Sequence, residues 1–134
     1  MEDIKKCVKE TAFLLKDAMY LENHYQSVLT HLLTKKGYIV SQEVHVAYKL
    51  LSGFTFGSGR IDILFETDRE IFILELKTNA KISLTVGQLK RYMIHIPNPS
   101  KKIIRGCVVS FNHYNQQTTK FLTLKTHTIS SDDT

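Results

Sequence analysis

The segment Ile71-Phe72-Ile73-Leu74-Glu75-Leu76-Lys77 constrains the fold of this chain more than any other. It reads as a strongly apolar strand into which two charges are inserted two residues apart. Period-two geometry puts Glu75 and Lys77 on one face. Burying an isolated charge costs several kcal/mol or forces neutralisation, so both side chains need partners there. A metal ion is one such partner.

The preceding strand, Arg60 to Thr67, alternates Arg60, Asp62 and Leu64 with Ile61, Ile63 and Phe65, which directs Asp62 away from the apolar face of its own strand. The short polar connection Thr67-Asp68-Arg69 suits a hairpin to a strand running from Glu70 to Thr78. A turn centred on Asp68 sets residue 75 opposite residue 61, within one position of Asp62. Two carboxylates so close repel unless a cation lies between them, and magnesium prefers oxygen ligands while keeping several waters. Lys77, on the same face, is then placed to orient and help deprotonate a water or to stabilise charge developing on phosphorus.

Around this pair the pattern is that of one α/β domain, as 134 residues allow a single core. Hydrophobic residues at 43% and charged residues at 23% are ordinary for a globular chain. Ile4, Val8, Ala12 and Leu15, then Leu21, Tyr25, Val28, Leu29, Leu32 and Leu33, recur at helical spacing and predict two helices or one bent helix before Gly37. Tyr38 to Leu51 reads as a strand, and Gly53, Gly57 and Gly59 loosen the chain after it. Leu84, Leu89, Met93 and Ile96 predict a helix that Pro97 and Pro99 end. Ile103 to Phe111 is a strand buried on both faces, and Phe121 to Ile129 a candidate edge strand. The expected domain spans residues 1–129, with a polar tail at 130–134.

Charge is distributed unevenly. Residues 1–75 hold nine Lys/Arg and eleven Asp/Glu, a net of −2, whereas residues 76–131 hold nine Lys/Arg and no acid, a net of +9. Such a stretch would raise the local concentration of a phosphate polymer, or serve as a solvated surface. Cys7 and Cys107 are too few and too far apart for a disulfide framework or paired metal ligands. The six histidines lack zinc-site spacing, and His24, His31, His45 and His95 read as packing or surface residues. No apolar run is long enough to span a bilayer and no secretory signal opens the chain, so an intracellular location, cytoplasmic or nuclear, is expected.

Gly59-x-x-Asp62 followed after a turn by Glu75-x-Lys77, within the order helix, three strands, helix, strand, resembles the PD-(D/E)xK nuclease core. Glu22-Asn23-His24-Tyr25 fits an ExxY motif, Glu43 falls where an acidic or polar strand residue is often found, and Gln88-Leu89-Lys90-Arg91-Tyr92 resembles QLxxY. Within the superfamily these look most like the compact GxxExxY group, over roughly residues 18–112, although Met19 stands at the group's glycine and Arg60-Ile61 precede the aspartate. The resemblance implies a restriction-endonuclease-like α/β fold with a mixed central sheet flanked by helices. It also implies a divalent-metal-dependent nuclease that hydrolyses DNA phosphodiester bonds with Mg2+, for which Mn2+ substitutes.

Carried over residue by residue, it implies Asp62 and Glu75 as metal ligands, the backbone carbonyl of Leu76 as a third candidate, and Lys77 as the water-activating residue. Glu22 would support a second metal or hold a water, and Gln88 would line the site from the opposite side. Arg60, Lys81, Lys90, Arg91, Lys101, Lys102 and Arg105 would grip the nucleic-acid backbone without reading bases. Blander roles stand beside these. Asp62 and Lys77 suit a structural ion pair, Thr85-x-x-Gln88 a capping box, Glu22 a solvated charge, and Tyr92 the core. At the level of function, an inactive nucleic-acid or protein-binding module and a dimeric resolvase of branched DNA are the rivals.

Overall fold

The computed structural model describes residues 1–78, 82–112, 117–125 and 128–132. Two helices open the chain, α1 (Glu2–Leu14) and α2 (Glu22–Lys35). In α1 the buried positions Ile4, Cys7, Val8, Thr11 and Ala12 form one stripe at helical spacing. Glu2 and Asp3 occupy its first turn, where the helix dipole favours acids. In α2 the buried stripe is Tyr25, Gln26, Leu29, Leu32 and Leu33. Gly37 follows α2 with φ +104°, the left-handed conformation that ends a helix at least cost in glycine.

A six-stranded sheet follows in the order β1 (Ser41–Lys49), β2 (Thr55–Glu66), β3 (Glu70–Thr78), β4 (Ile103–Phe111), β5 (Gln117–Lys125) and β6 (Thr128–Asp132). Helix α3 (Ile82–His95) connects β3 to β4, which therefore run parallel, while every other neighbouring pair is antiparallel. This is the mixed α/β sheet expected for a restriction-endonuclease-like core. The C-terminal part differs from expectation: the candidate edge strand resolves into β5 and β6, and the segment expected as a polar tail continues β6 as far as Asp132. Among the described residues no helix is long and apolar enough to cross a membrane.

The core has two layers, one on each face of the sheet. Helices α1 and α2 cover Ile63, Phe65, Phe72, Leu74, Leu76, Cys107, Val109 and Phe111. Helix α3 inserts Leu89, Tyr92 and Met93 against Val46, Tyr48, Ile61, Ile71, Ile73 and Val108. The runs in β3 and β4 are continuously apolar because both faces are covered. Glycines set how closely α3 approaches. A Cβ on Gly106 would lie 2.7 Å from the Met93 sulfur, and one on Gly59 would collide with the rings of Tyr48 and Tyr92. Gly57 and Gly59 were expected to loosen a connection; instead β2 begins at Thr55 and both glycines lie within it.

Regular alternation fails at the level of Asp62, apart from a register shift between Tyr48 and Lys49 farther along the same strand pair. Ile61 belongs to the α3 face while Ile63 belongs to the opposite face, so β2 turns over at Asp62. On β1 the residue at the same level, Glu43, has φ +55°, a conformation uncommon outside glycine. The register is the same on either side, Gln42↔Ile63 and Val44↔Ile61, so both strands switch face together. The sequence reading put Ile61 and Ile63 on one face, which this double turn-over overrides.

Candidate active site

The β2–β3 ladder runs from Glu66↔Ile71 to Ile63↔Leu74, and the next level would oppose Asp62 and Glu75. That is one residue from the register expected, because Thr67 N–H bonds the Glu70 carbonyl and centres the turn between Asp68 and Arg69. At this level the Asp62 carboxylate leaves its own strand, and Leu76 N–H donates to its Oδ2 at 2.7 Å. A side chain thus occupies the place of a ladder bond. Asp62 forms this contact instead of the ion pair with Lys77 that was its structural alternative.

Glu75 is only 2% exposed, and its Oε2 has no hydrogen-bond partner. Burial pushes its carboxyl up to about 10, and a hydrogen bond to Asp62 and the charge of Asp62 act in the same direction. Lys77 and a hydrogen bond from Tyr92 pull the other way. The two acids therefore share a site that two negative charges cannot occupy unaided.

Tyr92 links α3 to both strands. Gln88 Nε2 donates to its hydroxyl at 2.6 Å, the Arg60 backbone N–H also reaches it, and the phenol faces Glu75. Burial, with the Glu75 charge behind it, raises the phenol to about 12. The capping-box alternative for Gln88 does not apply, because α3 begins at Ile82 and Thr85 lies buried inside it. The tyrosine was expected in the core and is buried at 1% exposure, but its hydroxyl is part of the acid cluster. The signal was present in the four-residue spacing from Gln88, which puts both on one helix face.

Glu22 is the first residue of α2 and half-buried. Burial raises its carboxyl, while Lys77 and a hydrogen bond from the Thr78 backbone lower it, and Asp62 and Glu43 oppose them. Glu22, Glu43, Asp62, Glu75, Lys77 and Gln88 line one cleft of about 430 Å³, with His45, Ser58, Gly59 and Arg60 forming the β1–β2 side. His45, expected as a packing or surface residue, is exposed and borders this cleft.

The basic residues are not gathered around this cleft. Arg60 lies at its mouth, 4.0 Å from Glu43, and Arg91 folds back along α3 toward Gly87, next to Gln88. Lys90 faces a separate groove of about 370 Å³ beside β5 and β6. Lys102 donates to the Thr67 carbonyl at 2.9 Å and pairs with Glu66, and Arg105 pairs with Glu70. Arg105 is level with Phe72, and Lys101 and Lys102 precede it beyond the Glu70↔Ile103 pair, toward the far end of the sheet from Glu75. At about 3.3 Å per residue, Lys102 lies some 20 Å along the sheet from Glu75. Lys81, His113 and His127 lie outside the described residues.

Among the described residues no three His, Cys, Asp or Glu side chains form a preformed metal-binding group. Asp62 and Glu75 nevertheless fit a hard divalent cation. They are adjacent carboxylates, one with a buried oxygen lacking a partner, and magnesium takes few protein ligands and keeps waters for the rest.

Among solved structures, the crystal structure of SSO0001 aligns over 87% of this chain and 75% of its own, at 14% identity and a TM-score of 0.46. No curated protein matches the chain. The family model of the PD-(D/E)XK nuclease superfamily matches residues 20–120, a span that holds Glu22, Asp62, Glu75, Lys77 and Gln88. That match is one step coarser than the GxxExxY group. On three quarters of its length, and with the acid pair and lysine in one cleft, this chain belongs to the PD-(D/E)XK nuclease superfamily.

Proposed function

We propose that the protein is a divalent-metal-dependent nuclease that hydrolyses DNA phosphodiester bonds in the cleft between α2, β2, β3 and α3. The observation that carries this reading is the Glu75 carboxylate, 2% exposed with one oxygen unpartnered, set against Asp62 and open to a cleft that also holds Lys77. A buried acid pair of this kind is costly without a proton or a cation between its members, which is a condition a catalytic metal meets. Asp62 and Glu75, with the Leu76 carbonyl, would hold Mg2+, and Mn2+ would substitute.

The ion, when bound, supplies positive charge to the phosphate and acidifies a coordinated water. The chain's own groups do the rest. Lys77 Nζ orients the attacking water and stabilises the charge that builds on the phosphoryl oxygens. The water oxygen forms a new bond to phosphorus as its proton passes to solvent, the ester bond in line with it breaks, and the departing oxygen takes up a proton from solvent. Glu22 holds Lys77 and a second water from the α2 side, and Gln88 keeps the Tyr92 hydroxyl directed at Glu75. Arg60 and Arg91 grip backbone phosphates at the mouth, so binding is salt-sensitive and independent of base sequence. An intracellular location goes with such a substrate.

The test is cleavage of plasmid, single-stranded and branched DNA with Mg2+, with Mn2+, and in EDTA, by wild type, Lys77→Ala and Glu75→Ala. Wild type is expected to cut only with a divalent ion, and each variant to lose at least about a hundredfold in rate. Equal cleavage by all three proteins would trace the activity to a contaminant. DNA binding of undiminished strength in EDTA, with no cleavage under any condition, would favour a binding module that keeps the fold without the chemistry.

A further inference from the structure

Gln26 belongs to the buried stripe of α2, at 6% exposure, one helical turn after Glu22. Buried glutamine is unusual unless its amide is used. Here the Nε2 donates to the Asp62 backbone carbonyl at 3.1 Å and to Gln42 Oε1 at 3.2 Å, and lies 3.5 Å from Glu43 Oε1. A carbonyl and a carboxylate can only accept, so a nitrogen is required at this point of the side chain. All three acceptors sit where β1 and β2 turn over together, at the level of Glu43 (φ +55°) and Asp62.

A turn-over in a sheet interior frees backbone groups that the ladder would otherwise use. Asp62 is the residue affected: its carbonyl is taken by Gln26 and its carboxylate by Leu76 N–H at 2.7 Å. Without a donor from α2 the Asp62 carbonyl would be buried without a partner, and the strand pair would gain by relaxing toward regular alternation. Relaxation would swing the Asp62 carboxylate away from Leu76 and Glu75. We propose that Gln26 is a positioning residue of the nuclease site: its amide locks the double face-switch of β1 and β2 and so holds the Asp62 carboxylate beside Glu75.

This inference rests on the nuclease reading for its catalytic consequence, but not for its structural one. The two are separated by measuring amide hydrogen exchange by NMR alongside catalysis, for wild type, Gln26→Met and the milder Gln26→Asn. Gln26→Met keeps the volume and removes the donor; Gln26→Asn keeps the donor and withdraws it. In metal-free buffer the Leu76 amide is expected to exchange at least about tenfold faster in Gln26→Met, with Ile73 and Leu74 little changed, and less so in Gln26→Asn. Calorimetric Mn2+ affinity and kcat for DNA cleavage should each fall about tenfold, while KM for DNA stays within about twofold, because Gln26 bonds to none of the basic residues.

Should Gln26→Met fail to fold, Gln26→Asn carries the same comparison. Leu76 protection, Mn2+ affinity and kcat all within about twofold of wild type in a folded variant would overturn the positioning role. A wild type that neither cuts DNA nor binds Mn2+ would sink the nuclease reading alone, and Leu76 exchange would still decide what Gln26 does.

Discussion

Glu75 is a carboxylic acid that is stable in its place only with a proton or a cation. Its pKa in the folded chain is about 10, against an ordinary value of 4.5, chiefly because it is buried and secondly because of Asp62. Between those two values the folded state keeps a proton that the unfolded chain has released, so stability is full below about 4.5 and declines as pH rises toward 10. In EDTA the melting temperature should therefore fall from pH 5 to pH 9. Glu75→Gln should flatten that fall and exceed wild type by about 1–2 kcal/mol at pH 8, roughly 3–8 °C for a chain of this size. Adding Mn2+ should restore wild type and leave Glu75→Gln unmoved, since a ligand stabilises only the state it binds. A wild-type melting temperature independent of pH in EDTA would contradict the burial of this group.

At the scale of elements, the fit of α3 onto the sheet decides whether Gln88 and Tyr92 reach the acids. Two glycines control that fit, and they differ in what opposes an added methyl group. At Gly106 the obstacles are the flexible ends of Met93 and Leu89, 2.7 to 3.0 Å away, whereas at Gly59 they are the rings of Tyr48 and Tyr92. Gly106→Ala is expected to cost about 1 kcal/mol and to leave the cleavage rate near wild type; Gly59→Ala should cost about 2–3 kcal/mol and lower the rate at least tenfold, because the Tyr92 ring must move. Urea midpoints with rates on the same preparations check both, and a reversed order of the two variants would refute the docking argument. The elements themselves were mostly legible. The apolar run at 71–77, the helical spacing in α2 and α3, and the charges at 62, 75 and 77 marked the core and the acid–lysine set. The face-switch was not legible, because period two assumes a regular strand and nothing in Gly-Arg-Ile-Asp-Ile announces a turn-over. Gln26 was hidden for a related reason, since only the face-switch brings acceptors to its amide, while the Tyr92 hydroxyl was signalled by nothing beyond its four-residue spacing from Gln88.

Over the whole molecule the question is where a phosphate polymer would lie. The +9 charge of residues 76–131 suggested one basic surface, but folding divides it between opposite ends of the sheet. Chain order cannot show this, since β3 and β4 run parallel and return residues 101–105 to the end where β3 began. There Lys102 and Arg105 are committed to Glu66, Glu70 and the Thr67 carbonyl, clamping the β2–β3 turn to β4. Arg60, by contrast, is 70% exposed by side chain beside the cleft, and Arg91 is exposed on the turn of α3 that carries Gln88. A long-range field acts on association from anywhere on the surface, but counterion release counts only the cations that touch phosphates. Arg60→Ala and Arg91→Ala should therefore each weaken DNA binding severalfold and reduce the slope of log K against log salt by about one. Lys102→Ala should leave affinity and slope within experimental scatter and register instead as a loss of stability of up to about 1 kcal/mol, as suits a partly exposed ion pair. A salt titration of the three variants on one duplex separates these outcomes, and a slope lowered by Lys102→Ala alone would move the nucleic-acid surface to the far end of the sheet.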